Sequence, residues 1–204
     1  MKLSLIIHLH QHNALHWRHL FNTLPQDLDE VFVFHSPDIE LPEDLPEHWS
    51  IQSTPETESA KIWETGLAQA QGEYIAFFEH VVSLYPHHFA SHLEHLEANA
   101  LDATFSAPQF INTSFLPEAP ELPMVSCEDI PGFLLQSRLL WPIENFVFRR
   151  SALENMPFEN TEIPRLGALA PWLNQHKVQG LPQKTLEAVF SEHWQAATPK
   201  YLKQ

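Results

Sequence analysis

The chain has 204 residues, and its hydrophobic fraction of 44% is enough to bury one sizeable core, so we expect a single domain over 1–204. Its formal net charge of −15 repels phosphate backbones and anionic lipid, which argues against nucleic acid and membrane surfaces as partners. The sequence has no run of about 20 apolar residues that would span a membrane. Its one cysteine, Cys127, excludes an internal disulfide, and these features together favour a cytoplasmic protein.

Buried strands alternate with amphipathic helices along the first half of the chain. Residues 2–7 form a continuous apolar run, which is typical of a central parallel strand. Apolar residues at helical spacing, with Gly72 after one segment and Pro86 before another, predict three helices. In chain order, the predicted elements are a strand at 2–7, a helix at 13–24, strands at 31–34 and near Ile51, a helix at 60–72, a strand at 74–78, a helix at 86–99 and a strand at 103–106.

The second half of the chain is less regular. Prolines recur through 108–131, and a long loop of this kind inside a compact domain is usually functional. Ser151 and Glu154 have the spacing of a capping box, which predicts that a helix begins there. The other predicted elements are a strand at 146–148, a helix at 166–174 and, through Leu186, a terminal helix or an irregular cover. The alternation of strands and helices predicts an α/β fold whose mostly parallel sheet has helices on both faces.

Four segments of the sequence follow one another in the order of a known enzyme family. They are the strand at 2–7, the helix and Gly-Glu-Tyr-Ile turn within 66–78, the Leu-Tyr-Pro sequence at 84–86 with the helix after it, and the strand-to-helix step at 148–153. This order, over roughly 2–175, resembles the family-2 glycosyltransferases, which have the GT-A fold. The resemblance implies a single-domain GT-A-like sandwich, with a nucleotide-binding-like half at 1–107 and an acceptor-like half at 108–204.

The resemblance also implies an activity and a cofactor. The chain would be hexosyltransferase-like, moving a sugar from a nucleotide-sugar donor to an acceptor that the sequence does not identify. Charge developing on a departing nucleoside diphosphate calls for a divalent cation, so Mn²⁺ or Mg²⁺ is expected. The family's Asp-any-Asp motif falls on Glu79, His80 and Val81, which leaves Glu79 and His80 as the candidate metal ligands of a degenerate motif.

Candidate nucleotide-sugar contacts follow the first and second strands. The corresponding family positions hold His8, His10 and Gln11 after the first strand. They hold His35 and Ser36 after the second strand. Since open α/β sheets bind ligands at the carboxyl ends of their strands, we expect these side chains and the Glu79 carboxylate to face the donor.

A general base must activate the acceptor hydroxyl. The family's Glu-Asp pair falls on Glu162 and Ile163, so Ile163 takes the place of the base itself. Glu162 and Glu159 are the candidate catalytic residues, either of which would substitute for the base if the loop has shifted. Expected carboxylates are replaced at His35, Val81 and Ile163. A catalytically inactive GT-A-fold binding or scaffold protein is therefore an alternative function.

The sequence is also rich in histidine, with 14 residues of this type. His88, His92 and His95 recur at helical spacing, which suits zinc or nickel, and a histidine-based metal-binding protein is a second alternative. However, Phe89 and Leu96 occupy the core face of the same helix. We therefore expect the three histidines to lie on its solvated flank.

Overall fold

The computed structural model describes residues 2–10, 17–79, 81–106, 109–111, 143–154, 156, 158, 172–181, 183 and 185–189. Within them the chain forms ten strands: β1 (Leu3–Leu9), β2 (Glu30–His35), β3 (Ser50–Ser53), β4 (Tyr74–Phe78), β5 (Val81–Leu84), β6 (Ala103–Phe105), β7 (Gln109–Ile111), β8 (Phe146–Arg149), β9 (Val178–Gly180) and β10 (Leu186–Val189). The α-helices of the described residues are α1 (Trp17–Thr23), α2 (Ser59–Gln69) and α3 (His88–Ala98). Short 3-10 helices lie at Ile143–Asn145 and Arg150–Leu153.

Seven strands form the main sheet in the order β3-β2-β1-β4-β8-β6-β9. Six of them run in the same direction, and β8 alone is antiparallel to its neighbours β4 and β6. Every residue of β1 and β4 is buried, because these strands are central and covered on both faces. That burial explains their continuous apolar sequences. The predicted mostly parallel sheet is confirmed.

Helices cover both faces of this sheet. Successive side chains of β4 point to opposite faces. The Phe77 ring lies 5.6 Å from the ring of Trp63 in α2, and the Phe78 ring lies 6.1 Å from that of Phe89 in α3. The two helices therefore lie on opposite faces, as the α/β prediction requires.

Gly72 lies at a close approach of two backbones. The sequence predicts it as the residue that ends α2, but the C-cap of the helix is Ala70, and the described glycines have no positive φ. A Cβ atom on Gly72 would be 2.7 Å from the backbone nitrogen of Ser4. The Gly72 N–H donates to Ser4 Oγ at 2.8 Å and to a carboxylate oxygen of Glu30 at 3.1 Å. Glycine is required here for space and not for its φ angle.

Three strands form a second, smaller sheet in the order β5-β10-β7, with β10 antiparallel to β5 and parallel to β7. The predicted terminal helix or irregular cover at Leu186 is wrong, because Leu186–Val189 is the central strand of this sheet. Neither β5 nor β7 was predicted. Both are short, and both obtain their pairing within this sheet from β10, which comes much later in the chain.

The predicted helix at Ser151 is also wrong. The chain forms a short 3-10 helix there, whose N-cap is Arg149, and no side chain caps it. Where the chain leaves β8, the Arg149 N–H donates to the Asp102 carbonyl at 2.7 Å and the Arg150 N–H to the Glu73 carbonyl at 2.8 Å. The Arg149 side chain also forms ion pairs with Glu73 at 3.0 Å and Glu97 at 2.7 Å. Most of the predicted loop at 108–131 and of the predicted helix at 166–174 lies outside the described residues. None of the helices that the structure describes is long and apolar enough to cross a membrane.

Candidate functional site

His8, His10 and Glu79 lie together at the carboxyl ends of β1 and β4. The parallel pairing of these strands sets Ile7 opposite Phe78, so the residues that follow share one edge of the sheet. By the alternation of strand side chains, His8 and Glu79 lie on the face that carries α2. This edge is where open α/β sheets bind their ligands. The structure thus brings together three of the residues predicted for nucleotide-sugar binding.

Three polar groups converge on a single oxygen of Glu79. Ser59 Oγ donates a hydrogen bond to Glu79 Oε1 at 2.7 Å, and His10 Nε2 lies 2.8 Å from the same oxygen. His8 Nδ1 lies 3.4 Å from it and 3.2 Å from Ser59 Oγ. Side chains from β1, β4 and α2 therefore form one continuous network.

The members of this network differ in exposure. The side chains of His8 and Glu79 are 0% and 5% exposed, whereas that of His10 is 16% exposed. A buried carboxylate is costly unless hydrogen bonds replace its water, and Ser59 and His10 supply such bonds. His10 is therefore the histidine of the network that a ligand at the strand ends meets first.

Ser59 was not predicted as a site residue. It is the first residue of α2, directly after the N-cap Glu58, and from the sequence alone a serine at a helix start is ordinarily explained by capping. Its hydroxyl instead reaches Glu79, 20 residues further along the chain. Nothing in the local sequence signals such a contact, because it depends on how α2 packs against the sheet.

The end of β2 lies beside this network. His35 is paired with Leu9 in the sheet, and the Ser36 N–H donates to the Leu9 carbonyl at 3.0 Å. His35 Nδ1 is 2.9 Å from the carbonyl oxygen of Ser36. The two predicted residues are thus at the correct edge of the sheet, and these hydrogen bonds connect them to each other and to β1.

The predicted residues Gln11, His80, Glu159 and Glu162 lie outside the described residues, and their roles stay predictions. In the part of the chain that the structure describes, no three His, Cys, Asp or Glu side chains are placed to hold a metal ion. Glu79 Oε1 already accepts a hydrogen bond from Ser59 and contacts His10. The described residues therefore do not fit a cation site built by the protein alone, and the expected Mn²⁺ or Mg²⁺ also stays a prediction.

The expected solvated position of the α3 histidines is wrong for two of them. His88 and His92 are 2% and 0% exposed, because α3 lies between the main sheet and the segment that leads into β10. Thr185 Oγ1 lies 2.8 Å from His88 Nδ1, 3.3 Å from His92 Nε2 and 2.6 Å from Ser106 Oγ. Burial lowers the pKa of His88 to about 3 and the pKa of His92 well below its ordinary value, so both rings are neutral. We interpret this group as a polar contact inside the core, which gives no support to a histidine-based metal protein.

No protein-family model matches the chain, and no curated protein matches it in sequence. Solved structures of TarS from S. aureus are similar to it in fold. TarS 1–349 has a TM-score of 0.61 at 16% identity, and the match covers 93% of this chain and 60% of that one. A longer TarS structure has a TM-score of 0.67 at 15% identity and covers 94% of this chain and 37% of that one. TarS 1–349 in complex with UDP-GlcNAc has a TM-score of 0.63 at 15% identity, and the match covers 100% of this chain and 61% of that one.

At these identities the likeness concerns the fold, and it confirms the predicted GT-A-like glycosyltransferase fold. The chain spans less than two thirds of the length of these TarS structures.

Proposed function

We propose that this chain binds a nucleotide sugar at the carboxyl ends of β1 and β4 and transfers the sugar to an acceptor, as a glycosyltransferase of the family-2 type. One observation carries the proposal. The polar network of His8, His10, Ser59 and Glu79 lies at the ligand-binding edge of a GT-A-like sheet. TarS, which has a similar fold, has been solved in complex with UDP and with UDP-GlcNAc.

The roles proposed for individual residues follow from position and exposure. His10 would contact the donor, because its side chain is the more exposed of the two imidazoles in the network. His35 and Ser36 would flank the nucleotide at the end of β2. Glu162 or Glu159 would serve as the general base that takes the proton of the acceptor hydroxyl.

The negative net charge of the chain disfavours binding of the donor's diphosphate, which is also negatively charged. With a net charge of −15, the protein must offset the phosphate charge locally, through hydrogen-bond donors or a bound cation. Mn²⁺ or Mg²⁺ stays part of the proposal in this sense, with ligands beyond Glu79 supplied by the substrate phosphates.

Binding is tested by thermal shift and calorimetry with UDP and UDP-GlcNAc at millimolar concentration, with and without Mn²⁺. A nucleotide that binds only the folded chain raises its melting temperature by mass action. We expect His10→Ala to weaken binding about tenfold, which corresponds to the loss of roughly one hydrogen bond. His87→Ala alters an exposed histidine outside the network and should bind as the native chain does. Failure of both nucleotides to shift the melting temperature would sink the proposal.

A catalytically inactive binding protein is the second candidate, and one observation favours it. The Glu79 carboxylate is buried and its Oε1 atom is engaged by other side chains of the protein. Release of UDP from UDP-GlcNAc, followed by a coupled assay, separates the two functions. A chain that binds UDP with the expected His10 dependence, yet releases none from UDP-GlcNAc with a panel of hydroxyl acceptors, is a binding protein.

A further inference from the structure

A cavity of about 470 Å³ lies between α1 and the segment 36–49, which joins β2 to β3. This volume is within the range of roughly 300–1,000 Å³ that is usual for sites that bind small molecules. Its lining includes both polar and apolar side chains, namely Arg18, Asn22, Gln26 and Asp44 on the one hand and Phe21 and Leu45 on the other. Within the described part of the chain, the lining contains none of the residues predicted for nucleotide-sugar binding.

The cavity lies on the other face of the main sheet from the polar network of Ser59 and Glu79. The crossover from β1 through α1 to β2 and the crossover from β3 through α2 to β4 step in opposite directions along the strand order. Right-handed crossovers that step in opposite directions place their helices on opposite faces of a sheet. Helix α1 therefore lies opposite α2, which carries Ser59. A ligand in this cavity would bind apart from the proposed nucleotide-sugar site.

Buried aromatic residues hold the two walls of the cavity in place. On α1, Arg18 and Asn22 are four residues apart and share one helix face. Beneath the helix, the ring of Phe21 lies 5.5 Å from that of Trp17 and 5.9 Å from that of Trp49. Trp49 is buried and is the last residue of the segment that forms the opposite wall. The two walls are therefore joined through one aromatic cluster.

The polar side chains of the lining have hydrogen-bonding capacity that the protein does not use. Among the residues that the structure describes, Arg18 and Asp44 form no ion pair, either with each other or with another side chain. The Arg18 guanidinium lies over the Trp17 ring, 5.1 Å from its centroid, and this contact leaves its N–H groups available. The Gln26 amide donates one hydrogen bond, to the Leu24 carbonyl at 3.2 Å, and its own carbonyl oxygen remains an acceptor.

The composition of the lining indicates the class of ligand. Arg18 only donates hydrogen bonds, and Asp44 only accepts them. The amides of Asn22 and Gln26 do both. Since the two charges are opposite in sign, the lining calls for no net charge on the ligand. A sugar hydroxyl donates one hydrogen bond and accepts others, so the hydroxyls of one sugar match this mixed set. The C–H groups of a pyranose ring find apolar surface at Leu45.

We propose that this cavity is a saccharide site, separate from the nucleotide-sugar site, that holds one neutral pyranose unit through Arg18, Asn22 and Asp44. The unit belongs to a free monosaccharide or to a glycan chain, which present the same hydroxyl groups. The side chains of this site differ from those of the proposed nucleotide-sugar site, so either site can exist without the other.

Saccharide binding is measured by ¹⁵N nuclear magnetic resonance titration of the full chain with N-acetylglucosamine, glucose and galactose, without nucleotide. We expect at least one sugar to shift the side-chain amide signals of Asn22 and Gln26 with a dissociation constant in the millimolar range. The side-chain amide of Asn99, at the end of α3, should not move.

Variants of the lining test which side chains hold the sugar. Asn22→Ala and Asp44→Ala should each weaken binding about five- to tenfold, which corresponds to the loss of roughly one hydrogen bond. Both side chains are exposed, so these substitutions should leave the fold intact. Glu40→Ala, an exposed substitution in the same segment that does not line the cavity, should bind as the native chain does.

Three results would overturn the saccharide site. The sugars leave the Asn22 and Gln26 signals unchanged, or they shift the ring signals of His10 instead. In the third, methyl phosphate shifts the two amides where the sugars do not, which identifies an anion site at Arg18.

The β-1,4-linked disaccharide of the sugar that binds decides its source. Binding tenfold or more tighter than that of the monosaccharide identifies a glycan chain, and a smaller change identifies a single sugar unit. Either result supports the site. UDP should bind Asn22→Ala as it binds the native chain. If UDP binds neither, the proposed function fails and the saccharide titration still decides this site.

Discussion

Gly66 of α2 lies so close to Ile6 of β1 that a Cβ atom added to the glycine would be 2.6 Å from Ile6 Cγ2. The Ile6 side chain is fully buried, and its branched Cβ leaves few alternative rotamers. Helix α2, which carries Ser59, therefore packs so closely on β1, which carries His8, that only glycine fits at position 66.

Gly66→Ala should destabilise the chain by about 1–2 kcal/mol. Overpacking of a core costs about 1–3 kcal/mol, and the better helix propensity of alanine returns up to about 1 kcal/mol. Urea unfolding at neutral pH measures the change. In an Ile6→Ala background, which removes the clashing atoms, the same substitution should become neutral or stabilising. An equal cost in both backgrounds would show that the contact is not the cause.

Ala100 is the one described residue other than glycine with a positive φ, at 48°. It follows α3, where the Leu101 N–H donates to the Leu96 carbonyl at 3.0 Å and ends the helix in a tight turn. Ala100→Gly should raise the free energy of unfolding by about 0.5–1 kcal/mol, because glycine adopts this conformation without strain. The same change at Ala98, the last residue of α3, should lower stability instead. If both substitutions changed the free energy of unfolding in the same direction, the positive φ of Ala100 would not explain the result.

Thr185 uses its hydroxyl for three buried partners, His88, His92 and Ser106. Thr185→Val keeps the shape of the side chain but leaves these groups without that oxygen, so we expect a loss of about 2–4 kcal/mol. Thr185→Ser keeps the oxygen and should cost about 1 kcal/mol for the lost methyl group. Denaturant midpoints of the two variants provide the test. Equal midpoints would mean that the hydroxyl does not stabilise the fold.

The buried histidines also predict how stability depends on pH. The pKa of His88 is about 3 in the folded chain, and burial, together with neighbouring His88 and His95, also lowers the pKa of His92. The unfolded chain therefore binds more protons than the folded one below a pH of about 6.5, and stability falls as the pH falls through this range. At pH 5 the burial of a neutral His88 costs about 2 kcal/mol, and His92 adds to this cost.

Urea midpoints at pH 7 and pH 5 measure this effect. His92→Gln should show a smaller pH dependence than the native chain, since one of the two buried rings is gone. The exposed His87→Gln should retain most of it, because burial is the main cause of the lowered His88 pKa and the charge of His87 a lesser one. A midpoint in the native chain that does not fall between pH 7 and pH 5 would show that the two rings are not buried as neutral groups.

Glu30 should cause a further loss of stability at still lower pH. Burial by itself raises the pKa of Glu30, but hydrogen bonds from Lys2, Ser4 and Gln71 outweigh it and lower the pKa to about 2. The stability that this carboxylate supplies is complete above pH 4.5 and is lost as the pH falls towards 2. Glu30→Gln should cost about 1–3 kcal/mol at pH 7, whereas the exposed Glu94→Gln should be neutral. A carboxyl titration of Glu30 near pH 4.5 in the folded chain would argue against this network.

The sequence is most informative where one local pattern decides the structure. The runs at 2–7 and 74–78 predict β1 and β4 because strands covered on both faces need apolar residues throughout. The placement of His8, His10 and Glu79 at one edge follows from these two strands, since the ends of neighbouring parallel strands meet. The fold and the location of the site are thus largely predictable.

Features that depend on distant partners were not predictable. The Ser151 segment has the pattern of a capping box, yet no side chain caps the 3-10 helix that forms there, and the Arg150 N–H just before it donates to the distant Glu73 carbonyl. The serine of the site, Ser59, reaches Glu79 from α2, a helix that packs closely on β1 at Gly66. These contacts cross many residues of sequence, and no local spacing encodes them.

The central place of β10 in the small sheet has a consequence for synthesis. β5 ends at Leu84 and β7 at Ile111, and within this sheet both strands pair with β10, which begins at Leu186. At a translation rate of roughly 5–20 residues per second, β5 waits roughly 5–20 s for that strand to be made. During this interval β5 and β7 present unpaired backbone edges, which are sites for incorrect pairing between nascent chains. The small sheet therefore cannot be completed until β10 has been synthesised.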